Sequence, residues 1–167
     1  MKQRDSYDLP LLLVFGAIFF FIYIIQYTDG IFSHTQTVPQ FMLPIVVFCG
    51  MYWDDKIGAI FGFLLGSCVD AVAANTICYN TISLMLIGYV SGILIDKIIN
   101  NNFRASLLLT LAFSLIYYFG LWCIDDFSKG YITNVYFKII FNTMLISIPM
   151  YWGMKSIINL RKRSLSN

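Results

Sequence analysis

Six long apolar runs, separated by short polar segments, make up most of this chain. A membrane-spanning helix needs about 20 mostly apolar residues, with roughly 17 to 25 tolerated. The runs at 9–27, 39–53, 57–74, 78–95, 105–124 and 135–157 are read as such helices, so the expected fold is an all-α, polytopic membrane protein forming one domain over 1–167. The second run is short and contains Pro44, so it is expected to be tilted, kinked or extended backwards into the polar loop at 33–38. The first run is too long for the apolar part of a cleaved signal, and no small-x-small site follows it, so it reads as a retained anchor.

Inside the third and fourth runs the small residues recur every four positions. The third carries Gly58, Gly62 and Gly66 and then Asp70; the fourth carries Gly88 and Gly92 and then Asp96. Residues four apart share one face of a helix. Each run therefore presents a groove that another backbone can approach closely. In water such glycines cost about 1 kcal/mol each relative to alanine. In lipid, where burying apolar surface between helices gains nothing, small residues are what lets helices pack. Gly58, Gly62, Gly66, Gly88 and Gly92 thus serve internal packing, or a partner protein's helix, or one role each.

Composition agrees with the pattern. The 167 residues are 59% hydrophobic and 12% charged, and the mean hydropathy is +0.74, whereas a soluble domain carries about 25% charged residues. With both termini on the cytoplasmic side, Lys2, Arg4, Lys56, Lys97, Arg104, Lys155, Arg161, Lys162 and Arg163 also lie there, and only Lys129 and Lys138 belong to the opposite face. That asymmetry orients the chain with both termini inside. Tyr23, Tyr27, Tyr117 through Trp122, and Tyr131 fall at outer ends of the runs, and Tyr52, Trp53, Tyr151 and Trp152 at inner ends. Aromatic rings collect at headgroup level. The basic tail Arg161-Lys162-Arg163 suits an anionic lipid surface. Cys49, Cys68, Cys78 and Cys123 show no CxxC spacing and read as small apolar residues; a Cys78–Cys123 bridge is left open.

Little in the chain points to catalysis, a cofactor or a metal. There is one histidine, His34, in a polar loop, and no glutamate. The HExxH and GxSxG patterns are absent. Nothing suggests nucleic-acid binding. Most of the nine acidic residues sit at run ends; Asp70 lies about 6 Å inside the third run and Lys138 at a similar depth in the last. A carboxylate near the C-terminus of its own helix is poorly placed. Asp70 is therefore expected to find a partner. Either it pairs with Lys138, with Asn142 one turn away as a neighbour, or Lys138 snorkels outward and Asp70 bonds Asn75, Thr76 or Asn80 locally.

The order of these features resembles a known family. Thr37-Val38-Pro39-Gln40-Phe41-Met42-Leu43 opens the second run. Gly58-Ala59-Ile60-Phe61-Gly62-Phe63-Leu64-Leu65-Gly66 precedes Asp70. Tyr79-Asn80-Thr81-Ile82-Ser83-Leu84 leads into Leu86-Ile87-Gly88-Tyr89-Val90-Ser91-Gly92. This stretch is similar to the MreD family, small polytopic proteins of the bacterial rod-shape system, with Cys78 where that family usually has glycine. The resemblance implies a non-enzymatic scaffold of cell-wall elongation. It would bind a single-span MreC-like protein and, through it, MreB, the RodA polymerase and a penicillin-binding transpeptidase. It also implies a fold like that of the substrate-binding membrane subunits of energy-coupling-factor vitamin transporters, which supply the alternative function. Those subunits present an alanine-x-x-x-alanine face on the first helix. Here Gly16-Ala17 is followed by Phe19, Phe20 and Phe21.

Overall fold

The computed structural model describes residues 9–27, 40–73, 78–97, 102–126 and 133–164. All the elements among them are helical: α1 (Leu9–Tyr27), α2 (Met42–Tyr52), α3 (Asp55–Ala73), α4 (Tyr79–Lys97), α5 (Phe103–Leu121) and α6 (Thr133–Ser164), with a π-helical turn at Trp122–Asp126 closing α5. His34, Asp29, Asn75 and Thr76 lie outside the described residues. Helix α6 runs past its apolar stretch to Ser164, because the basic residues that follow are good helix formers once in water.

Helix α2 is the axis of the bundle. Every residue from Met42 to Met51 is buried, as expected of a helix that is apolar on all sides and enclosed by others. It contacts all five other helices, with the α3–α4 hairpin on one side and α5 and α6 on the other. Pro44 falls in the first turn of α2, where its missing N–H is one the helix could not have used. It starts the helix and does not kink it. Gln40 is not helical and α2 begins at Met42; the loop at 33–38, into which an extension was expected, lies outside the described residues. Eleven residues cover about 16 Å, roughly half of a hydrocarbon core.

The two glycine ladders face each other. In the antiparallel α3–α4 pair, Gly58 lies against Gly88, Gly62 against Leu84, Gly66 against Asn80 and Thr81, and Gly92 against Asp55. A Cβ on Gly58 would stand 2.5 Å from the Gly88 carbonyl oxygen, and one on Gly66 would stand 2.5 Å from the Thr81 Cα. Gly50 of α2 enters the same crossing, against Ser91 and Gly88. Three backbones thus meet where only hydrogen can separate them. Helix α1 packs differently, through side chains: Phe15 stands edge-on to Trp53 and Phe19 edge-on to Phe61.

Polarity is inverted relative to a soluble bundle. Ser91, Ser106, Thr110, Ser114, Thr143 and Ser147 are fully buried, while Phe21, Leu108, Ile116, Phe119 and Phe141 are exposed. Most of the buried hydroxyls donate to carbonyls of their own helices, as Ser114 does to Thr110 at 2.6 Å and Thr143 to Ile139 at 2.8 Å. Among the described residues, Tyr79–Lys97 and Phe103–Ile124 are long and apolar enough to cross a membrane.

Candidate functional site

The largest set of buried polar side chains gathers where α3 ends and α4 begins. The short connection between them brings Asp70, in the last turn of α3, beside the first turn of α4. Asp70 Oδ1 accepts the Asn80 backbone N–H at 3.2 Å and the Asn80 side-chain amide at 2.7 Å. Its Oδ2 accepts the Thr81 backbone N–H at 2.8 Å and the Thr81 hydroxyl at 2.5 Å. Asn80 and Thr81 are the second and third residues of α4, whose N–H groups have no partner within their own helix. An N-cap side chain normally fills that role. Cys78 precedes the helix and is exposed, so a carboxylate from the neighbouring helix caps α4 instead. The positive end of the α4 dipole favours this placement.

From Asp70 the network continues across the bundle. The Tyr117 hydroxyl donates to Asn80 Oδ1 and accepts from Gln40 Nε2, the latter at 3.0 Å. The Tyr118 hydroxyl donates to Gln40 Oε1 at 2.7 Å, and the Gln40 backbone N–H donates to Thr143 Oγ1 at 3.2 Å. The Tyr79 hydroxyl donates to the Tyr117 carbonyl at 2.7 Å, in the space left by Gly120. Gln26 of α1 accepts the Phe41 backbone N–H at 3.2 Å. The network therefore serves the point where α2 stops short. Non-helical backbone buried in an apolar setting must find partners within the protein, and Gln40 and Phe41 find theirs in α1, α5 and α6.

The positions singled out from sequence divide as follows. Gly58, Gly62, Gly66, Gly88 and Gly92 are all buried against backbone of α2, α3 or α4, so neither ladder is left open as a groove for another protein's helix. Asp70 is buried and takes the local alternative, with Asn80 and the adjacent Thr81 as its partners. The other alternative, a pair with Lys138, is not formed. A carboxylate has about four acceptor positions, and N–H and O–H donors fill them all. Lys138 is exposed, not buried, as its long stem allows. Asn142 is half-buried on the same helix. Cys78 and Cys123 are free thiols.

Sequence reading missed Gln40, Tyr117, Tyr118, Thr143 and Gly50. Tyr117 and Tyr118 look like members of an interfacial aromatic belt, yet both are buried. The available signal was the helical spacing of Ser106, Thr110, Ser114 and Tyr117, which marks one inward polar face on α5. Chemically, the arrangement holds helices together: its one carboxylate is saturated, and no group of three or more His, Cys, Asp or Glu that could hold a metal occurs among the described residues.

Fold and site together define an all-helical bundle with a buried polar tie and at least two helices of membrane-crossing length. No family model matches the chain, and neither does any curated protein or solved structure.

Proposed function

We propose that this chain is a multi-pass scaffold of the bacterial cytoplasmic membrane, with both termini inside, acting in cell-wall elongation as MreD-type proteins do. It would bind a single-span MreC-like protein by helix packing and, through it, reach MreB, RodA and a penicillin-binding transpeptidase. The observation that carries this reading is the mutual engagement of the interior polar groups. Gln40, Asn80, Tyr117 and Tyr118, the side chains best placed to line a ligand pocket at that end, are bonded to one another. A bundle tied this way keeps a fixed outer shape, which is what a scaffold offers its partners. With the ladders occupied, a partner helix has to dock on the outer, lipid-facing surfaces. The exposed apolar side chains around the bundle, and the basic excess at the Lys56, Lys97 and Arg104 end, support the membrane setting.

The test is affinity purification of the full chain in mild detergent, with identification of co-purifying membrane proteins. A single-span MreC-like protein is the expected result, together with rounding of rod-shaped host cells on depletion. Recovery of transporter ATPase subunits, with unchanged shape and lost vitamin uptake, would reverse the reading in favour of a vitamin-transport subunit.

A further inference from the structure

Helix α6 packs on α5 and α2, with Ile140, Thr143, Ser147 and Tyr151 buried, and turns Lys138, Phe141, Leu145, Pro149 and Trp152 outward. The outward residues recur at intervals of three and four, so they form one stripe along the helix. On α5 the exposed residues from Leu108 to Phe119 are all apolar, as suits a surface that meets only lipid. The α6 stripe differs, because it carries two unmet polar demands. Lys138 makes no ion pair or hydrogen bond through its side chain among the described residues, and Asp70 has no acceptor position left for it. The second demand is a backbone carbonyl. Pro149 has no N–H, so the Leu145 carbonyl loses the donor that an unbroken helix would supply. The nearest hydroxyls are committed elsewhere: Ser147 donates to the Met144 carbonyl at 2.7 Å and Thr143 to that of Ile139 at 2.8 Å. Leu145 and Pro149 are both exposed, so this carbonyl lies on the outward side, about 10 Å further along α6 than Lys138.

We infer that this stripe docks the spanning helix of a partner protein, one that sets a carboxylate beside Lys138 and a serine or threonine hydroxyl beside the Leu145 carbonyl. Acyl chains meet neither demand. A headgroup phosphate can be reached by a snorkelling Lys138, but it cannot also serve a carbonyl about 10 Å deeper, and it has no donor to offer. One helix with a carboxylate and a hydroxyl two turns apart on one face meets both. A second copy docked through the same stripe does not fit: α6 contains no Asp or Glu, and a two-fold contact would set Lys138 against Lys138. The inference names the docking surface of the scaffold proposed above, and it rests on that reading for the membrane setting of α6.

The experiment reconstitutes the full chain in phosphatidylcholine vesicles with labelled spanning peptides, and energy transfer reports binding. Each peptide is a helix of about 20 leucines; the first carries one Glu near an end and one Ser two turns further in. It should bind about 3- to 30-fold more tightly than the all-leucine peptide, the range for one or two polar contacts between helices in lipid. Lys138→Gln should remove the part due to Glu, and Lys138→Glu should move the preference to a peptide with Lys in place of Glu. Pro149→Ala, which restores the helix donor to the Leu145 carbonyl, should remove the part due to Ser. Lys155→Gln should change nothing. Equal binding of all the peptides, or a preference that survives both Lys138→Gln and Pro149→Ala, would overturn the docking site. Self-association of the chain that Lys138→Gln abolishes would also overturn it, in favour of a second copy. The peptides stand in for any cellular partner. A failed pull-down with intact peptide discrimination would therefore count against the scaffold alone, and the converse against the α6 stripe alone.

Discussion

Asp70 and Thr81 make a two-point contact between neighbouring helices, in which one carboxylate oxygen of Asp70 receives both the backbone N–H of Thr81 at 2.8 Å and its hydroxyl at 2.5 Å. The other oxygen does the same for Asn80. The counter-charge to Asp70 is thus the start of α4, not a lysine. Asp70→Leu should leave two helix N–H groups and two side-chain donors unsatisfied in an apolar setting, and lower stability by about 2–4 kcal/mol. Asp70→Asn, which keeps one acceptor oxygen, should cost less. Thermal unfolding of the purified chain in detergent measures both. Lys138→Met is the control: a cost matching that of Asp70→Leu would mean that the lysine stabilises the carboxylate after all.

Tyr117 is the bridge from that cap to the rest of the bundle. Removing its hydroxyl leaves Asn80 Oδ1 without its donor and Gln40 Nε2 without its acceptor. Tyr117→Phe should therefore destabilise by about 1–3 kcal/mol. Because Gln40 shares the network, Gln40→Leu and Tyr117→Phe should be non-additive, with a coupling of about 0.5–3 kcal/mol in a double-mutant cycle. Strict additivity in chemical denaturation would show that the two side chains act separately.

Asp54 and Asp55 at the start of α3 set a pH dependence. Asp55 is held above the ordinary carboxylate range, first by the hydrogen bond shared with the Asp54 carboxyl and then by burial. The folded chain binds this proton more tightly than the unfolded one. The associated stability is present below about pH 4 and is lost as pH rises through the folded value. Asp54→Asn keeps an oxygen for the Asp55 N–H, accepted now at 3.0 Å, but removes the neighbouring acid. Melting temperatures across pH 3.5–7 should show the wild type declining relative to Asp54→Asn as pH rises; parallel curves would contradict this.

How much of this was legible in the sequence depends on whether a feature is local or relational. Helix positions were legible because apolar runs are local: the first run, 9–27, coincides with α1, and the third and fourth lie within two residues of α3 and α4 at each end. The ladders were legible as close-packing faces, because spacing alone puts Gly58, Gly62 and Gly66 on one stripe. What meets that stripe is relational, since it depends on the antiparallel register that sets Gly58 against Gly88 and Gly66 against Thr81. Asp70 was recognised as needing a partner. Weighing its charge against its own helix dipole and a distant lysine left out the dipole of the helix ten residues further along. Tyr117 and Tyr118 were hidden because hydropathy cannot distinguish a tyrosine facing lipid headgroups from one buried against Gln40.

The glycines allow that register to be tested position by position. A Cβ on Gly88 would stand 2.5 Å from the Gly58 carbonyl carbon and 2.9 Å from Val46 Cγ1. Neither backbone can move without separating α3 from α4 and disturbing the cap at Asp70. Gly88→Ala should therefore destabilise by about 1–3 kcal/mol, the usual cost of forcing a methyl into a filled interior. Gly153 on α6 is the contrast, because a Cβ there meets nothing within 4 Å. Gly153→Ala should be neutral or gain up to about 1 kcal/mol from helix propensity. Unfolding in detergent ranks the two, and a Gly88→Ala chain as stable as Gly153→Ala would rule out backbone contact between the ladders. Cell shape sharpens the comparison if the scaffold reading holds. Gly88→Ala should then fail to restore rods in a depleted host at 37 °C, and Gly153→Ala should restore them, because only the first substitution forces packed helices apart.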